Sequence, residues 1–422
     1  MLALLAAAAM MQDPNVYDRD FTVEVMFRAD QPGRLASNRE SDDERGWTIG
    51  VDESGAWYWA ASDGETEYDY RPTVKRQRVV SDGNHTVAFA LRRDEHEVRL
   101  FFDHRLVVVL NVEGLESLAT EVRDLPATAG GIGSQTLYWR ALSDADLTEG
   151  SVLPERRERF TVLAFNIWHA GKEDGEEGFK RLLDTMREAD ADIVCMIETY
   201  GSGPEIADEL GYSFYLRSTN LSIHSRFPIG RTFDYFRAFN FGGAEIKISQ
   251  TQTLRVFDTW LHYLPSTQAD ISGDKTVNAI LKGEMETRGG EIKEILKQIA
   301  RVLAESDEYP VIMAGDFNSG SHLDWTEGTK HRYNGYVVPW PVTVQMEEAG
   351  FIDAFRTIYP DPLENFGRTW SPRFKEALQY RIDYVFHHGP RLRPVSAKVF
   401  DSHPGGFASD HAAVLVEYEW VD

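Results

Sequence analysis

Val311-Ile312-Met313-Ala314-Gly315-Asp316-Phe317-Asn318-Ser319-Gly320 decides how the second half of this chain folds. It begins with an uninterrupted apolar run, the pattern of a strand buried on both faces. The run stops at a small residue, an acid, an aromatic and an amide. A carboxylate placed there sits on rigid backbone at the edge of a core, where a site can be pre-organised. Taken alone, the segment reads as a strand followed by an Asx turn. What neighbouring strands carry at their ends changes that reading.

From Phe160 to Asp422, apolar strand-like runs alternate with helix-like ones, as in a layered α/β enzyme core. Thr161–Phe165 predicts a strand ending at Asn166-Ile167-Trp168-His169, and Asp192–Ile197 predicts one ending at Glu198. Leu254–Leu264 predicts a third, carrying His262 near its end. Helical spacing marks Gly178–Ala189, with Phe179, Leu182, Leu183 and Met186 on one stripe. It also marks Gly290–Leu303, through Ile292, Ile295, Leu296, Ile299 and Leu303. Arg381-Ile382-Asp383-Tyr384-Val385-Phe386 and Ala408-Ser409-Asp410-His411-Ala412-Ala413-Val414 complete the set. Singly, such residues are turn formers or solvated carboxylates. Recurring where apolar strands stop, they would line one rim of a sheet, as an active site requires.

The ordered set Asn166, Glu198, His262, Gly315-Asp316-Phe317-Asn318, Arg381-Ile382-Asp383-Tyr384 and Ser409-Asp410-His411 resembles the endonuclease/exonuclease/phosphatase superfamily. That superfamily includes deoxyribonuclease I-like and exonuclease III-like nucleases, neutral sphingomyelinases and inositol polyphosphate phosphatases. The resemblance implies a four-layered α/β sandwich, two β-sheets flanked by helices. It also implies phosphoester hydrolysis dependent on magnesium, with manganese or calcium as substitutes. Glu198 would be the principal metal ligand, assisted by Asn166 and Asp410. Asp316 would position and deprotonate the attacking water, while Asn318 donates to the phosphoryl oxygens. Asp383 would orient and charge-stabilise His411, which would bind the phosphate or transfer a proton. His262 would contact phosphate or protonate the leaving group. Two departures leave the number of metal ions open. Trp168 stands where some family nucleases carry an acid, and Ile197 stands where Gln often precedes the metal-binding Glu.

The first half has a different pattern: many short strands with turn signals between them. Phe21–Phe27 alternates in and out, and Trp47–Val51 and Ala56–Ala61 predict a hairpin across Asp52-Glu53-Ser54-Gly55. His85–Arg92, Val98–Phe102 and Arg105–Val112 follow, the last two turning at Asp103-His104. Ser81–Val87, Val98–Asp103 and Leu137–Asp144 together resemble concanavalin-like, laminin-G-like jelly-roll domains. The resemblance implies an all-β sandwich with a carbohydrate- or protein-binding accessory role, or a packing module without ligand. Trp57 and Trp59 share one face of a strand and are expected in the sandwich core, with a sugar-stacking platform as the alternative. Glu40–Glu44 reads as a solvated acidic loop.

The expected organisation is therefore a signal-peptide remnant at 1–14, a β-sandwich at 15–147, a polar linker at 148–159 and the enzyme domain at 160–422. The apolar, alanine-rich start resembles the h-region of a secretory signal and points to export. It is too short to span a bilayer, and no other stretch looks transmembrane. Cys195, the only cysteine, permits no intrachain disulfide and reads as a small buried hydrophobe.

A formal net charge of -24 argues against broad electrostatic capture of nucleic acid. A nuclease stays open as the alternative, since a bound divalent cation supplies local positive charge. A catalytically inactive surface binding protein is the alternative of another class. Around the site, Ser321–Trp340 reads as a pocket wall or an irregular loop. Pro265–Gly289 reads as a second lid, with Lys275, Lys282 and Arg288 available for phosphate, or as a solvated loop.

Overall fold

The computed structural model describes residues 17–41, 44–80, 83–119, 127–149 and 153–421. The expected signal segment, the centre of the Glu40–Glu44 loop and the Ser81-Asp82 pair lie outside the described residues. Two compact units result. One takes in the chain up to Val152 together with Pro204–Phe214, and the other takes in Leu153–Gly203 and Tyr215–Asp422.

The first unit is built of antiparallel sheet. One run of strands has the order Arg105–Asn111, Glu97–Phe102, His85–Arg92, Phe21–Ala29, Gly130–Tyr138. A separate sheet has the order Gly33–Ser37, Gly46–Val51, Trp57–Ser62, Glu67–Tyr70. Phe21, Val23, Val25 and Phe27 point inward, as the alternation predicts. Trp57 stacks on Phe102 and Trp59 meets Phe89, both indoles fully buried. They are core, and the sugar-platform alternative fails at these two positions. Asp103 and His104 both take positive φ, 45° and 60°, as a two-residue hairpin turn demands.

The second unit holds two sheets face to face. In one, strands run in the order Leu392–Phe400, Ala413–Trp420, Arg159–Asn166, Ile193–Ile197, Leu221–Ser225. The other runs Ile229–Phe233, Phe241–Lys247, Thr253–Trp260, Val311–Asp316, Asp383–His388, Ile352–Asp353. Arg159–Asn166 and Ile193–Ile197 lie against Thr253–Trp260, Val311–Asp316 and Asp383–His388. Helix Arg288–Gln298 and its continuation cover the second sheet. Ile292, Ile295, Ile299 and Val302 pack on Phe257, Val311, Met313 and Phe386. Helix Gly175–Ala189 buries the expected stripe of Phe179, Leu182, Leu183 and Met186. The result is a mixed α/β sandwich.

Two elements differ from their sequence expectation. The strand expected over Leu254–Leu264 stops at Trp260, whose parallel partner Asp316 is the last residue of its own strand. His262 therefore stands on a loop. The helix expected over Gly290–Leu303 starts at Arg288 and is divided at Ile299 into Arg288–Gln298 and Ala300–Ala304.

Candidate active site

Register explains why distant residues meet. Arg159–Asn166 and Ile193–Ile197 pair in parallel with Asn166 opposite Ile197, so Asn166 and Glu198 leave the first sheet at the same edge. Val311–Asp316 and Asp383–His388 pair antiparallel with Asp316 opposite Asp383, at the matching edge of the second sheet. Ala413–Trp420 runs antiparallel to Arg159–Asn166 with Val414 opposite Ala164, which brings Asp410 and His411 to the Asn166 end.

Side chains join these edges into one network. Asn166 Nδ2 lies 3.2 Å from both Glu198 Oε1 and Asp316 Oδ2. Asn318 donates its backbone N–H to Asp316 Oδ1 at 2.9 Å and its Nδ2 to Asp316 Oδ2 at 3.0 Å. The Ser409 hydroxyl donates to the Asn166 carbonyl at 2.7 Å and accepts from the His411 N–H at 3.0 Å. His411 Nδ1 contacts Asp383 Oδ2 at 2.9 Å, leaving Nε2 3.9 Å from Asp316 Oδ2.

Burial governs the charges here. It lifts the Asp316 carboxyl above the usual range, partly offset by the attraction of His411. For His411, burial works downward, but the carboxylates of Asp383 and Asp316 outweigh it and hold the imidazolium well above its ordinary value. Asp410 is raised, again chiefly by burial, and one of its buried carboxylate oxygens has no hydrogen-bond partner.

Backbone strain gathers at the same place. Trp168, His169, Ala170, Glu198 and Asn318 are non-glycine residues with φ between 49° and 64°. The strain secures ligands: Trp168 N–H donates to Asn166 Oδ1, and His169 N–H donates to Glu198 Oε2.

These residues fit a hard divalent cation. Glu198, Asp410 and the amide oxygen of Asn166 are oxygen donors of the type magnesium prefers, and Asp410 offers an unpartnered buried oxygen. Asp316, Asp383 and His411 also present ligand atoms within 4.8 Å of one another. There, His411 Nδ1 is committed to Asp383 and Nε2 lies 3.9 Å from Asp316 Oδ2. The trio is better matched to handling a proton.

His262 is the candidate that stands apart from this network. Its Nδ1 lies 3.0 Å from the Leu264 backbone nitrogen and 3.2 Å from the Leu264 carbonyl oxygen. It adjoins Leu261, whose carbonyl accepts from Asn318 Nδ2 at 2.9 Å. The loop is tied down from below. Arg288 donates to the carbonyls of His262 and Pro265 and pairs with Glu284, which also accepts from the Ser319 hydroxyl. Arg288 is fully buried in this role and is not a phosphate-facing cation. Ser321–Trp340 contributes packing: Trp325, Tyr333, Val338 and Trp340 form a core cluster with Tyr380 and Ile382.

Sequence reasoning missed two supports. Asn220 is fully buried, its Oδ1 accepting from the Glu198 N–H and its Nδ2 donating to the Phe239 carbonyl. The Thr369 hydroxyl accepts from the N–H groups of Ile382 and Asp383, with no signal in the sequence to mark it.

The profile of the Endonuclease/Exonuclease/phosphatase family matches residues 163–411, more than half the chain and every residue of this network. The chain belongs to that family. Members of this family are hydrolases of phosphodiester bonds and are commonly metal-dependent. Uncharacterized protein F14F9.5 of Caenorhabditis elegans is 28% identical over 296 residues, covering 62% of this chain and 91% of that protein. Among solved structures, TDP2 from Caenorhabditis elegans is 17% identical over 62% of this chain and 74% of its own, with a TM-score of 0.43. The human Nocturnin catalytic domain with bound sulfate is 14% identical over 63% and 96%, with a TM-score of 0.41.

Proposed function

We propose that the second unit is a divalent-metal-dependent phosphoesterase, with a phosphodiester as its substrate. The observation that carries this reading is the buried network joining Asn166, Glu198, Asp316, Asn318, Asp383 and His411 at one edge of both sheets. Glu198, Asp410 and Asn166 would hold the cation, which supplies charge neutralisation at the phosphate when bound. Asp316 receives the proton of the attacking water. Its raised affinity for protons suits a base working near neutrality. Asn166 and Asn318 hold that carboxylate in place. The charged His411, kept so by Asp383, faces the negative charge of the phosphoryl oxygens through Nε2. His262, on its loop beside Leu261, contacts the phosphate or protonates the departing oxygen.

Around this chemistry, the first unit is read as a concanavalin-like, laminin-G-like accessory module that binds a glycan or a protein. The chain is read as exported. A nuclease is the rival within the class. The charge of -24 weighs against extended polyanions.

The test is hydrolysis of a chromogenic phosphodiester with magnesium, with chelator, and by Asp316→Ala. We expect activity only in the first, with a loss of roughly 10²–10⁴-fold in the variant. Equal rates in all three would reject the enzyme in favour of an inactive binding protein. A panel of DNA, RNA, sphingomyelin, phosphoinositides and sugar phosphates then sorts the substrate classes.

A further inference from the structure

Strand Leu221–Ser225 carries Ser222 and His224 two positions apart, so their side chains share one face. Both are wholly buried. A hydroxyl and an imidazole in such a place are costly unless hydrogen bonds satisfy them. Here they form a column. His224 Nε2 lies 3.1 Å from Ser222 Oγ, and Ser222 Oγ lies 2.7 Å from Thr199 Oγ1, also wholly buried. The Thr199 hydroxyl in turn reaches the Met196 carbonyl at 3.5 Å. Burial pushes the His224 imidazole down to about 3, so the ring stays neutral and serves as a hydrogen-bond partner.

The column ends on the residue that follows Glu198. Glu198 and Tyr200, on either side of Thr199, both take positive φ, 61° and 37°. Such backbone persists only where its surroundings over-determine it. Thr199 is held at three points. Its N–H donates to the Asn220 carbonyl at 3.2 Å, and its carbonyl accepts from the Ser202 N–H at 2.9 Å and hydroxyl at 2.8 Å. The third point is the column. On this backbone depends the aim of the Glu198 carboxylate, whose oxygens meet Asn166 Nδ2 at 3.2 Å and the His169 N–H at 2.9 Å. Apolar side chains of the same shape would pack in place of the hydroxyls with little loss of stability. What a polar column adds is direction, since hydrogen bonds fix how the Thr199 side chain points.

We propose that Thr199 and Ser222, backed by His224, are positioning residues for the Glu198 carboxylate, and that this buried column sets how tightly the site holds its divalent cation. The inference rests on the metal-dependent phosphoesterase reading and deepens it. Groups that hold a ligand in its binding geometry before the ion arrives show their loss in affinity for the ion.

Isothermal titration of magnesium into the metal-free, full-length protein tests this without reference to turnover. Thr199→Val keeps the shape of the side chain and removes the hydroxyl, while Ser222→Ala opens the column at its centre. Each is expected to weaken magnesium binding roughly tenfold, the effect of losing a group that supports a ligand. Thr199→Ser restores the hydroxyl and should bind as the parent does. Because the hydroxyls act as one unit, the double variant Thr199→Val, Ser222→Ala should lose about as much as either single one. In hydrolysis of the chromogenic phosphodiester, the magnesium concentration giving half the maximal rate should rise by the same factor, with KM for the ester unchanged at saturating magnesium. Urea denaturation supplies the control. A lowered midpoint with parent-like magnesium affinity in both single variants would make the column packing alone and overturn the proposal. Equal weakening in Thr199→Ser, or losses that multiply in the double variant, would also overturn it. Magnesium binding without hydrolysis by the parent would remove the enzyme reading and leave this one standing, whereas a parent that binds no magnesium overturns both.

Discussion

Asp324, Asp353, Arg356 and Arg381 form one buried charged cluster of the second unit, and Glu198, Asp316, Asp383, Asp410 and His411 form another. In the first, every charge has an opposite. Arg381 bridges Asp324 at 2.8 Å and Asp353 at 2.7 Å, while Arg356 takes the other Asp324 oxygen at 2.6 Å. In the second, the carboxylates of Asp383, Asp316 and Asp410 act on one imidazole and Glu198 lies beside Asn166, so carboxyl groups outnumber the single cation. Burial of unpaired charge is expensive, and here it raises the Asp316 and Asp410 carboxyls toward their neutral forms. The balanced cluster is sufficient in itself and serves the fold. The unbalanced one has the oxygen-donor chemistry a divalent cation prefers.

Removing one partner should therefore separate the two. Arg381→Met strands Asp353 in the core, leaves Asp324 with Arg356 alone, and is expected to destabilise the protein by about 3–5 kcal/mol, read by chemical denaturation. Glu198→Gln removes one of several crowded carboxylates and should shift metal-free stability by less than about 1 kcal/mol. Comparable losses in both would erase the distinction between the clusters. A cation gives the next largest effect. Magnesium at a hundred times its dissociation constant should add about 2.7 kcal/mol to the parent. Thermal denaturation should show that gain in the parent and not in Glu198→Gln. A gain that persists in Glu198→Gln would place the cation elsewhere.

The unbalanced cluster was the more legible of the two in sequence, for a physical reason. Asn166, Glu198 and Asp316 each end a run of apolar residues, and a polar group interrupting burial stands out wherever strands stop. Both strand ends and residue types were readable there without tertiary information. The balanced cluster draws Asp324 and Arg356 from segments with no such contrast, so nothing local marks their pairing with Arg381. Asn220 was hidden similarly. Its link to Glu198 depends on Leu221–Ser225 running antiparallel beside Ile193–Ile197, with Leu221 opposite Ile197. The Leu254–Leu264 strand was overextended because apolarity continues past the point where its partner ends. Arg288 did carry a local clue, since Glu284 precedes it by four residues on a helix-like pattern and the two pair at 2.6 Å. Its lysine neighbours made it look like a surface cation.

An effect smaller than that of the cation concerns acid, and it marks the balanced side of the comparison. His387 lies one strand position from Asp353's partner Phe386, buried with its ring edge against Tyr418. Burial pushes its imidazole down to about 4 from an ordinary 6.5. Above the ordinary value both folded and unfolded chains carry it neutral, so stability does not depend on its proton. Below that, the unfolded chain takes the proton first and stability is lost until the pH nears 4. By pH 5 the loss assigned to this one ring is about 2 kcal/mol. His387→Phe keeps the contact with Tyr418 and abolishes the proton. Denaturation at pH 7 and pH 5 should then show a smaller acid loss in the variant than in the parent by about that amount. Identical acid losses in both proteins would mean that the ring gains its proton without cost, and that the neighbourhood of the balanced cluster tolerates an added charge as readily as the site edge does.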